Sequence, residues 1–324
     1  MQTKLTSWLS LIALFALFTA PIFGQAPASA TASSTQSPGT IKVKRSMGTV
    51  VAEDIVTKAT QELKDEMVIG QGTIVRTGGG NSSVVLLFSN GASVSLTHDS
   101  VLNIETFTQD PFAENASFRP ENATEEPSVS TTSIKLTKGE LIGNVKKLKR
   151  GGLVESKFTV STPVGAAGIR GTTFRITYRP DGNGRYSFTL TTIEGNVQLT
   201  VASGTVSAPP VSVTDNKEVI ITNIEVNVVN NQVTATTAAG QTATVTAAPV
   251  PVVDAPVTTV QQVQAVAAQL VQAVANVVFA TPATPAPKPV EKPVEKPAET
   301  PAPKPADPSP TPGNTTTQQR VTNP

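Results

Sequence analysis

The chain has no cysteine and a single histidine among its 324 residues. Without cysteine there can be no disulfide framework, no thiolate zinc site, no iron–sulfur cluster and no cysteine nucleophile. The one imidazole, His98, cannot form a site built from several histidines. Aromatic residues make up 4% of the chain, so stacking surfaces for nucleobases are scarce. We therefore expect no catalytic residues, metal site or cofactor, no nucleic acid partner, and a protein that is not an enzyme.

No hydrophobic run is long enough to cross a membrane comfortably. The apolar stretch from Leu5 to Phe18 is about 14 residues, whereas a spanning helix needs about 20. Lys4 precedes this stretch, and small residues follow it, which is typical of a cleaved signal peptide over residues 1–28. An uncleaved signal anchor is the alternative. We expect cleavage between residues 25 and 31, no stable membrane span afterwards, and a periplasmic or extracellular bacterial protein.

From residue 41 to residue 208 apolar and polar residues alternate with a period of two, which predicts an all-β domain. Two alternating runs flank Asn90-Gly91, a strong hairpin signal that we interpret as a type I′ turn. The second run, 92–97, has small hydroxyl residues on one face. It is predicted to be a half-buried strand.

Charge is distributed unevenly along this domain. Residues 110–132 hold five acidic residues and one basic residue, and residues 133–208 hold eleven basic and four acidic ones. Prolines and polar residues predict that 109–132 is a surface insertion. The basic run consists of Lys146, Lys147, Lys149 and Arg150. We interpret it either as a surface for an anion or a partner, or as a solvated hairpin tip.

The composition and the periodicity of the sequence change after residue 208. Residues 209–256 stay rich in β-branched residues and are predicted to be a β-rich extension, either as edge strands or loosely ordered. Apolar residues at spacings of three and four predict one amphipathic helix over 257–280. Prolines occupy 12 of the 32 positions from 281 to 312, so 281–324 is predicted to be a disordered, proline-rich tail.

One stretch resembles a known family. Residues 158–174 run from a strand through a Thr-Pro pair into Arg-Gly-Thr followed by an aromatic residue, which is similar to the signature of FecR-type domains. The resemblance covers about residues 41–201. Within this stretch we assign five residues to a structural motif, namely Thr162, Pro163, Arg170, Gly171 and Thr172.

The resemblance implies an all-β periplasmic module, a short β-solenoid or roll, as the domain of residues 41–208, after a linker at 29–40. In well-known members this module relays a signal from an outer-membrane receptor to a cytoplasmic sigma factor. Only four residues precede the apolar stretch here, so we expect no cytoplasmic sigma-binding domain.

Several individual residues have a structural and a functional interpretation. Arg170 is expected to fold inward and pair with Glu140 or Glu194, or else to act as an anion clamp through its planar donors. His98 and Asp99 are interpreted as surface turn residues, and Glu125 with Glu126 as part of the surface insertion.

These observations favour a non-enzymatic exported protein that binds, scaffolds or senses in the bacterial cell envelope. Its expected partner is an envelope protein or an anionic envelope polymer. The alternative is an extracellular surface or matrix protein that associates with itself through edge strands.

Overall fold

The computed structural model describes residues 36–112, 117–151, 154–182, 185–203, 206–227, 232–237, 242–244 and 250–280. The predicted signal peptide (1–28) and the predicted proline-rich tail (281–324) lie outside the described residues. The predicted linker at 29–40 is described from residue 36 onward. The fold below concerns these described stretches.

Strands dominate, as the alternating pattern predicts. The first ten strands are β1 Ser37–Pro38, β2 Ile41–Met47, β3 Val50–Asp54, β4 Thr60–Glu62, β5 Val68–Ile69, β6 Thr73–Thr77, β7 Ser83–Phe88, β8 Ser93–Leu96, β9 Val101–Gln109 and β10 Ser117–Phe118. After a short 3₁₀ helix at Pro120–Asn122 come β11 Ser130–Val145, β12 Arg150–Gly151, β13 Val154–Glu155, β14 Lys157–Thr162, β15 Gly165–Pro180 and β16 Tyr186–Ser203. The last elements are β17 Val206–Ser207, β18 Val211–Val213, β19 Lys217–Asn227, β20 Gln232–Thr237, β21 Thr242–Thr244, β22 Val253–Asp254, α1 Val257–Ala273 and β23 Phe279–Ala280.

Three long strands, β11, β15 and β16, each take part in two sheets. In the first sheet the order is β5–β2–β7–β8–β11–β15–β16–β19–β20. In the second sheet the order is β4–β3–β6–β9–β11–β14–β15–β16–β18. Every neighbouring pair is antiparallel except β11 with β14. The finer description as a solenoid or roll stays a prediction.

Each long strand passes between the sheets at a glycine. The partner of β11 changes at Gly139, that of β15 near Gly171 and that of β16 near Gly195, and φ is +103°, +58° and +93° at these positions. Strands that switch sheets do so at bends or bulges, and left-handed backbone at the bend suits a residue without a Cβ atom. The Arg-Gly-Thr segment therefore marks a corner of the fold.

The hydrophobic core lies between the two sheets. The ring of Phe88 in β7 meets Phe107 in β9 edge-on, with centroids 5.1 Å apart, and Phe158 in β14 at 6.1 Å. The same apolar cluster includes Val213 and Val219, both fully buried. Strands β18 and β19 of the predicted extension are therefore built into the sheets and are not loosely ordered.

A helix is present inside the predicted range 257–280, at Val257–Ala273. Its buried side chains, Val263 and Leu270, pack with Val85, Ile142 and Ile193 on the face of the first sheet that points away from the core. The helix also contacts β8, and all four residues of that strand are buried. The prediction of a half-buried strand at 92–97 was wrong because sequence periodicity did not show that a helix covers its polar face.

The hairpin predicted around Asn90-Gly91 is confirmed, since β7 pairs with β8. The turn is not type I′, which requires positive φ at both central residues, because φ is positive at Gly91 (+87°) and not at Asn90. The buried Asn90 side chain instead accepts a hydrogen bond from the Ala92 N–H (3.1 Å) and donates to Ser130 Oγ (3.1 Å). These bonds link the turn to the start of β11.

Candidate functional site

Two adjoining cavities open beside the corner where β15 changes sheets. The larger, which we call the basic depression, has a volume of about 660 Å³ and is lined by Glu125, Lys147, Leu148, Lys149, Arg150, Arg170 and Gly171. The smaller, the polar cavity, has a volume of about 360 Å³ and is lined by Ala123, Thr124, Asn144, Val145, Lys146, Lys147, Gly171, Thr172, Thr173 and Glu194. Lys147 and Gly171 line both. The structure thus brings the basic run and part of the Arg-Gly-Thr segment together.

The basic run is held in place by the segment that precedes β11. The backbone N–H of Lys147 donates to the Thr124 carbonyl at 3.0 Å, and the N–H of Glu126 donates to the Lys147 carbonyl at 3.1 Å. The N–H of Ser156 donates to the Lys149 carbonyl at 3.2 Å on the other side. The run is therefore an ordered wall of the depression and not a freely solvated hairpin tip.

The side chain of Glu126 supports this wall of the depression through hydrogen bonds. Its side chain is buried, with the residue only 2% exposed. One carboxylate oxygen accepts a hydrogen bond from the backbone N–H of Lys149 at 2.6 Å, and the other accepts from Ser130 Oγ at 2.6 Å. Burial raises the pKa of Glu126, while the hydrogen bonds oppose that shift.

Much of the predicted surface insertion at 109–132 is consequently anchored to the domain. Phe112 and Phe118 pack with Phe279 in a second apolar cluster, and Ser130 is fully buried at the start of β11. The prediction of a surface insertion missed this anchoring. No local pattern reveals it, since the carboxylate of Glu126 and the N–H of Lys149 meet only in the folded chain.

Besides Lys147, three cationic side chains line the depression, and they do so in different ways. The ammonium group of Lys149 donates to the Pro127 carbonyl at 2.8 Å, which ties this side chain to the wall. The guanidinium of Arg170 donates through Nη2 to the Leu148 carbonyl at 3.3 Å. Arg150 is exposed, as is Arg170. One donor of Arg170 is used in this way, and a guanidinium carries five.

The inward pairing of Arg170 with Glu140 or Glu194 was wrong. Arg170 is exposed, whereas Glu140 pairs with Arg175 at 2.9 Å and with Arg179 at 3.5 Å. The signal for this pairing is the register of β11 on β15, in which Glu140 lies opposite Thr177, between the two arginines. Residues two positions from a directly opposed partner are diagonal neighbours on the same face.

The rest of the proposed motif forms turns. Thr172 is 2% exposed, and its hydroxyl donates to the Arg170 carbonyl at 3.0 Å, which holds the bulge around Gly171. Thr162 and Pro163 lie at the β14–β15 turn, where the Thr162 hydroxyl donates to the Gly165 carbonyl at 3.2 Å. These two residues are not among those that line either cavity.

Lys146 differs from its neighbours in the basic run. A Cβ atom at Gly91 would lie 3.1 Å from Cγ of Lys146, so this side chain runs beside the Gly91 turn, and the residue is half-buried beside the polar cavity. Burial lowers the pKa of Lys146. Its charge is thus less available to a ligand than that of Lys147, which is exposed and lines both cavities.

The other candidate residues, His98 and Asp99, do not line either cavity. His98 and Asp99 are exposed turn residues 3.0 Å apart, and the hydrogen bond from His98 lowers the pKa of Asp99. Across the described stretches, no three side chains of His, Cys, Asp or Glu cluster as a metal would require. No helix within those stretches is long and apolar enough to span a membrane.

Comparison with known proteins gives one family match. Residues 73–207 match the family described as FecR protein. Two solved structures, each described as an anti-sigma factor from Parabacteroides distasonis ATCC 8503 and determined at 1.65 and 2.50 Å resolution, are each 12% identical to this chain, with TM-scores of 0.31 and 0.30. The matches cover 51% and 50% of this chain and 59% and 58% of those chains, which is less than two thirds of their length. Likeness at this level carries no functional argument. No curated protein matches.

Proposed function

The chain carries a FecR domain over residues 73–207, and from this premise we propose that it is an exported, non-enzymatic module that binds or senses a partner in the bacterial cell envelope. The observation that carries the proposal is the convergence of Lys147, Arg150 and Arg170 on one depression. Lys147 and Arg150 belong to the basic run and Arg170 to β15, and the fold holds these two segments together beside an ordered wall. Such an arrangement suits recognition of an anionic partner.

The lining of the two cavities favours binding over catalysis. Nucleophilic or acid–base catalysis requires a reactive group held within hydrogen-bond reach of its activating partner. The described lining residues instead offer exposed cations and two exposed carboxylates, Glu125 and Glu194, one in each cavity. We therefore propose a scaffolding, binding or sensing role. Export rests on the predicted signal peptide at 1–28.

Self-association remains the second candidate, because the second sheet ends in an exposed strand. All three residues of β4 are exposed, and in the described part of the chain β4 pairs on one side only, with β3. An unpaired strand edge can accept a strand from another copy. Glu62 on this strand places a negative charge at the edge, which disfavours close pairing between identical copies.

Site-directed crosslinking separates the two functions. A photoreactive amino acid at position 125, on the lining of the depression, is compared with one at position 64, which is exposed and lies two residues after the edge strand β4. After irradiation of intact envelopes, we expect adducts from position 125 that contain a molecule other than this chain. The paired variant Arg150→Gln/Arg170→Gln should suppress them.

Two results would contradict the binding proposal. Adducts from position 125 that match those from position 64 in identity and yield would show that the depression has no dedicated partner. Adducts that contain only two copies of the chain, formed mainly from position 64 and unaffected by the paired variant, would favour the self-associating surface protein.

A further inference from the structure

We propose that the basic depression and the polar cavity together bind an acidic polysaccharide. This inference rests on the proposed binding function and names the class of ligand. The acidic groups of the polymer lie against the arginines of the depression, and its hydroxyl groups lie in the polar cavity. Three observations carry the assignment, and they concern the length of the site, the mixture of its polar groups and the state of its backbone.

The length of the site fits a chain of linked units. The two cavities, of about 660 and 360 Å³, share Lys147 and Gly171 and therefore adjoin. Each has a volume within the range of a small-molecule site. A ligand that fills both is longer than a single small molecule and passes Lys147 at its middle.

The two cavities present different polar side chains and therefore favour different chemical groups on the ligand. Arg150 and Arg170 present planar guanidinium donors, which match carboxylate or phosphate oxygens in pairs. In the polar cavity the carboxylate of Glu194 is exposed and can accept a hydrogen bond from a hydroxyl group, but it repels an anion. The Thr124 hydroxyl and the Asn144 amide add polar groups there. A polymer that carries both acid groups and hydroxyls satisfies both cavities.

An acidic protein segment fits less well because the wall offers few free backbone groups. A peptide that joins a sheet edge is recognised through main-chain hydrogen bonds. Along the basic run, the N–H of Lys147 donates to the Thr124 carbonyl, and the carbonyl of Lys147 accepts from the Glu126 N–H. The N–H of Lys149 is bonded to the Glu126 carboxylate and its carbonyl to Ser156. Recognition must therefore depend on side chains, as suits a saccharide with peripheral polar groups.

Binding of a defined acidic polysaccharide tests the inference. Full-length protein is titrated with polygalacturonate, with neutral dextran, with polyglutamate and with vesicles of phosphatidylglycerol. We expect polygalacturonate to bind most tightly and neutral dextran not to bind. The affinity for polygalacturonate should fall as the salt concentration is raised, because exposed charges are screened.

Matched variants locate the binding. Arg150→Gln/Arg170→Gln removes two positive charges from the depression, and Lys58→Gln/Lys64→Gln removes two from exposed side chains elsewhere (66% and 73% accessible). We expect at least a tenfold loss of affinity from the first pair and less than twofold from the second. Arg170→Lys should recover only part of the loss of Arg170→Gln, since a lysine lacks the planar fork. Thermal melting of each variant shows that the fold is intact.

The outcomes distinguish this inference from the function on which it rests. Tighter binding of polyglutamate, with the same loss in the arginine pair, would overturn the polysaccharide and leave the binding site in place. Binding only to vesicles would assign a lipid surface instead. Equal loss from both variant pairs would mean non-specific charge attraction. If no probe binds, the polysaccharide is overturned, and the crosslinking from position 125 decides the binding function separately.

Discussion

The backbone N–H of Lys149 donates a 2.6 Å hydrogen bond to the buried carboxylate of Glu126. This bond links the wall of the basic depression to the segment that precedes β11, across 22 intervening residues of sequence. Because Ser130 Oγ donates to the other oxygen of the same carboxylate, Glu126 also fixes the start of β11 beside the candidate site.

Glu126→Ala should lower the free energy of unfolding by about 1–3 kcal/mol, since it leaves the partly buried Lys149 N–H and the buried Ser130 hydroxyl without their acceptor. The control is Glu125→Ala, because Glu125 is exposed and should change stability by no more than about 0.5 kcal/mol. Denaturant unfolding of both variants measures the difference. Equal stability of the two would mean that the buried carboxylate does not hold the wall.

The pH dependence of stability should reflect the raised pKa of Glu126. The folded state binds this proton more tightly than the unfolded chain, whose carboxyl titrates near its ordinary value of 4.5. The contribution of Glu126 to stability is therefore complete below that value and is lost as pH rises through the folded pKa. We expect the wild type to gain stability relative to Glu126→Gln as pH falls from neutral towards 4.5. A difference that is flat or of opposite sign would contradict the desolvation of this carboxyl.

Loss of the Glu140 ion pairs should lower stability more than loss of the exposed Arg170 side chain. Glu140→Ala removes the partner of both Arg175 and Arg179 and should cost about 1–3 kcal/mol, less than a fully buried pair because the side chains are partly exposed. Arg170→Ala removes an exposed side chain and should change stability by about 0.5 kcal/mol or less. Thermal or denaturant unfolding checks both. A larger loss for Arg170→Ala than for Glu140→Ala would reverse this assignment.

The corner of β16 should not tolerate a side chain at Gly195. Its φ is +93°, and a Cβ atom there would lie 2.5 Å from the Gly171 carbonyl oxygen. Gly195→Ala should therefore cost about 2 kcal/mol or more. Gly168→Ala is the matched control, because the nearest atom to its Cβ would be 3.8 Å away and alanine suits a strand better than glycine. Equal free energies of unfolding for Gly195→Ala and Gly168→Ala would contradict the close packing proposed at Gly195.

The helix should be bound to the sheet through one face. Leu270 is 1% exposed, so Leu270→Ala should cost about 2–4 kcal/mol through lost burial and the cavity left behind. Its neighbour Val271 is 51% exposed, and Val271→Ala should be neutral or slightly stabilising because alanine favours helix. Comparing the two melting temperatures tests whether the helix packs on the sheet. Identical temperatures would count against the packing.

Local patterns in the sequence were sufficient for the β class, the hairpin at Asn90-Gly91 and the helix inside 257–280. Each depends on residues close together in the chain, where alternation or a spacing of three and four records which side faces the core. The Arg-Gly-Thr segment also indicated the family whose model matches residues 73–207. The type of turn at Gly91 was not evident, because the Asn90 side chain bonds to residue 130, far along the chain.

Only the tertiary structure decided which charges meet. Arg170 and Arg175 look alike in sequence, yet the register of β11 on β15 brings Glu140 to Arg175, and the bulge at Gly171 leaves Arg170 exposed beside the basic run. The burial of Glu126 and of the polar face of β8 likewise depends on layers built from distant segments. The physical reason is the same in each case: pairing and covering are set by which strands become neighbours, and that information is not contained in any short stretch of residues.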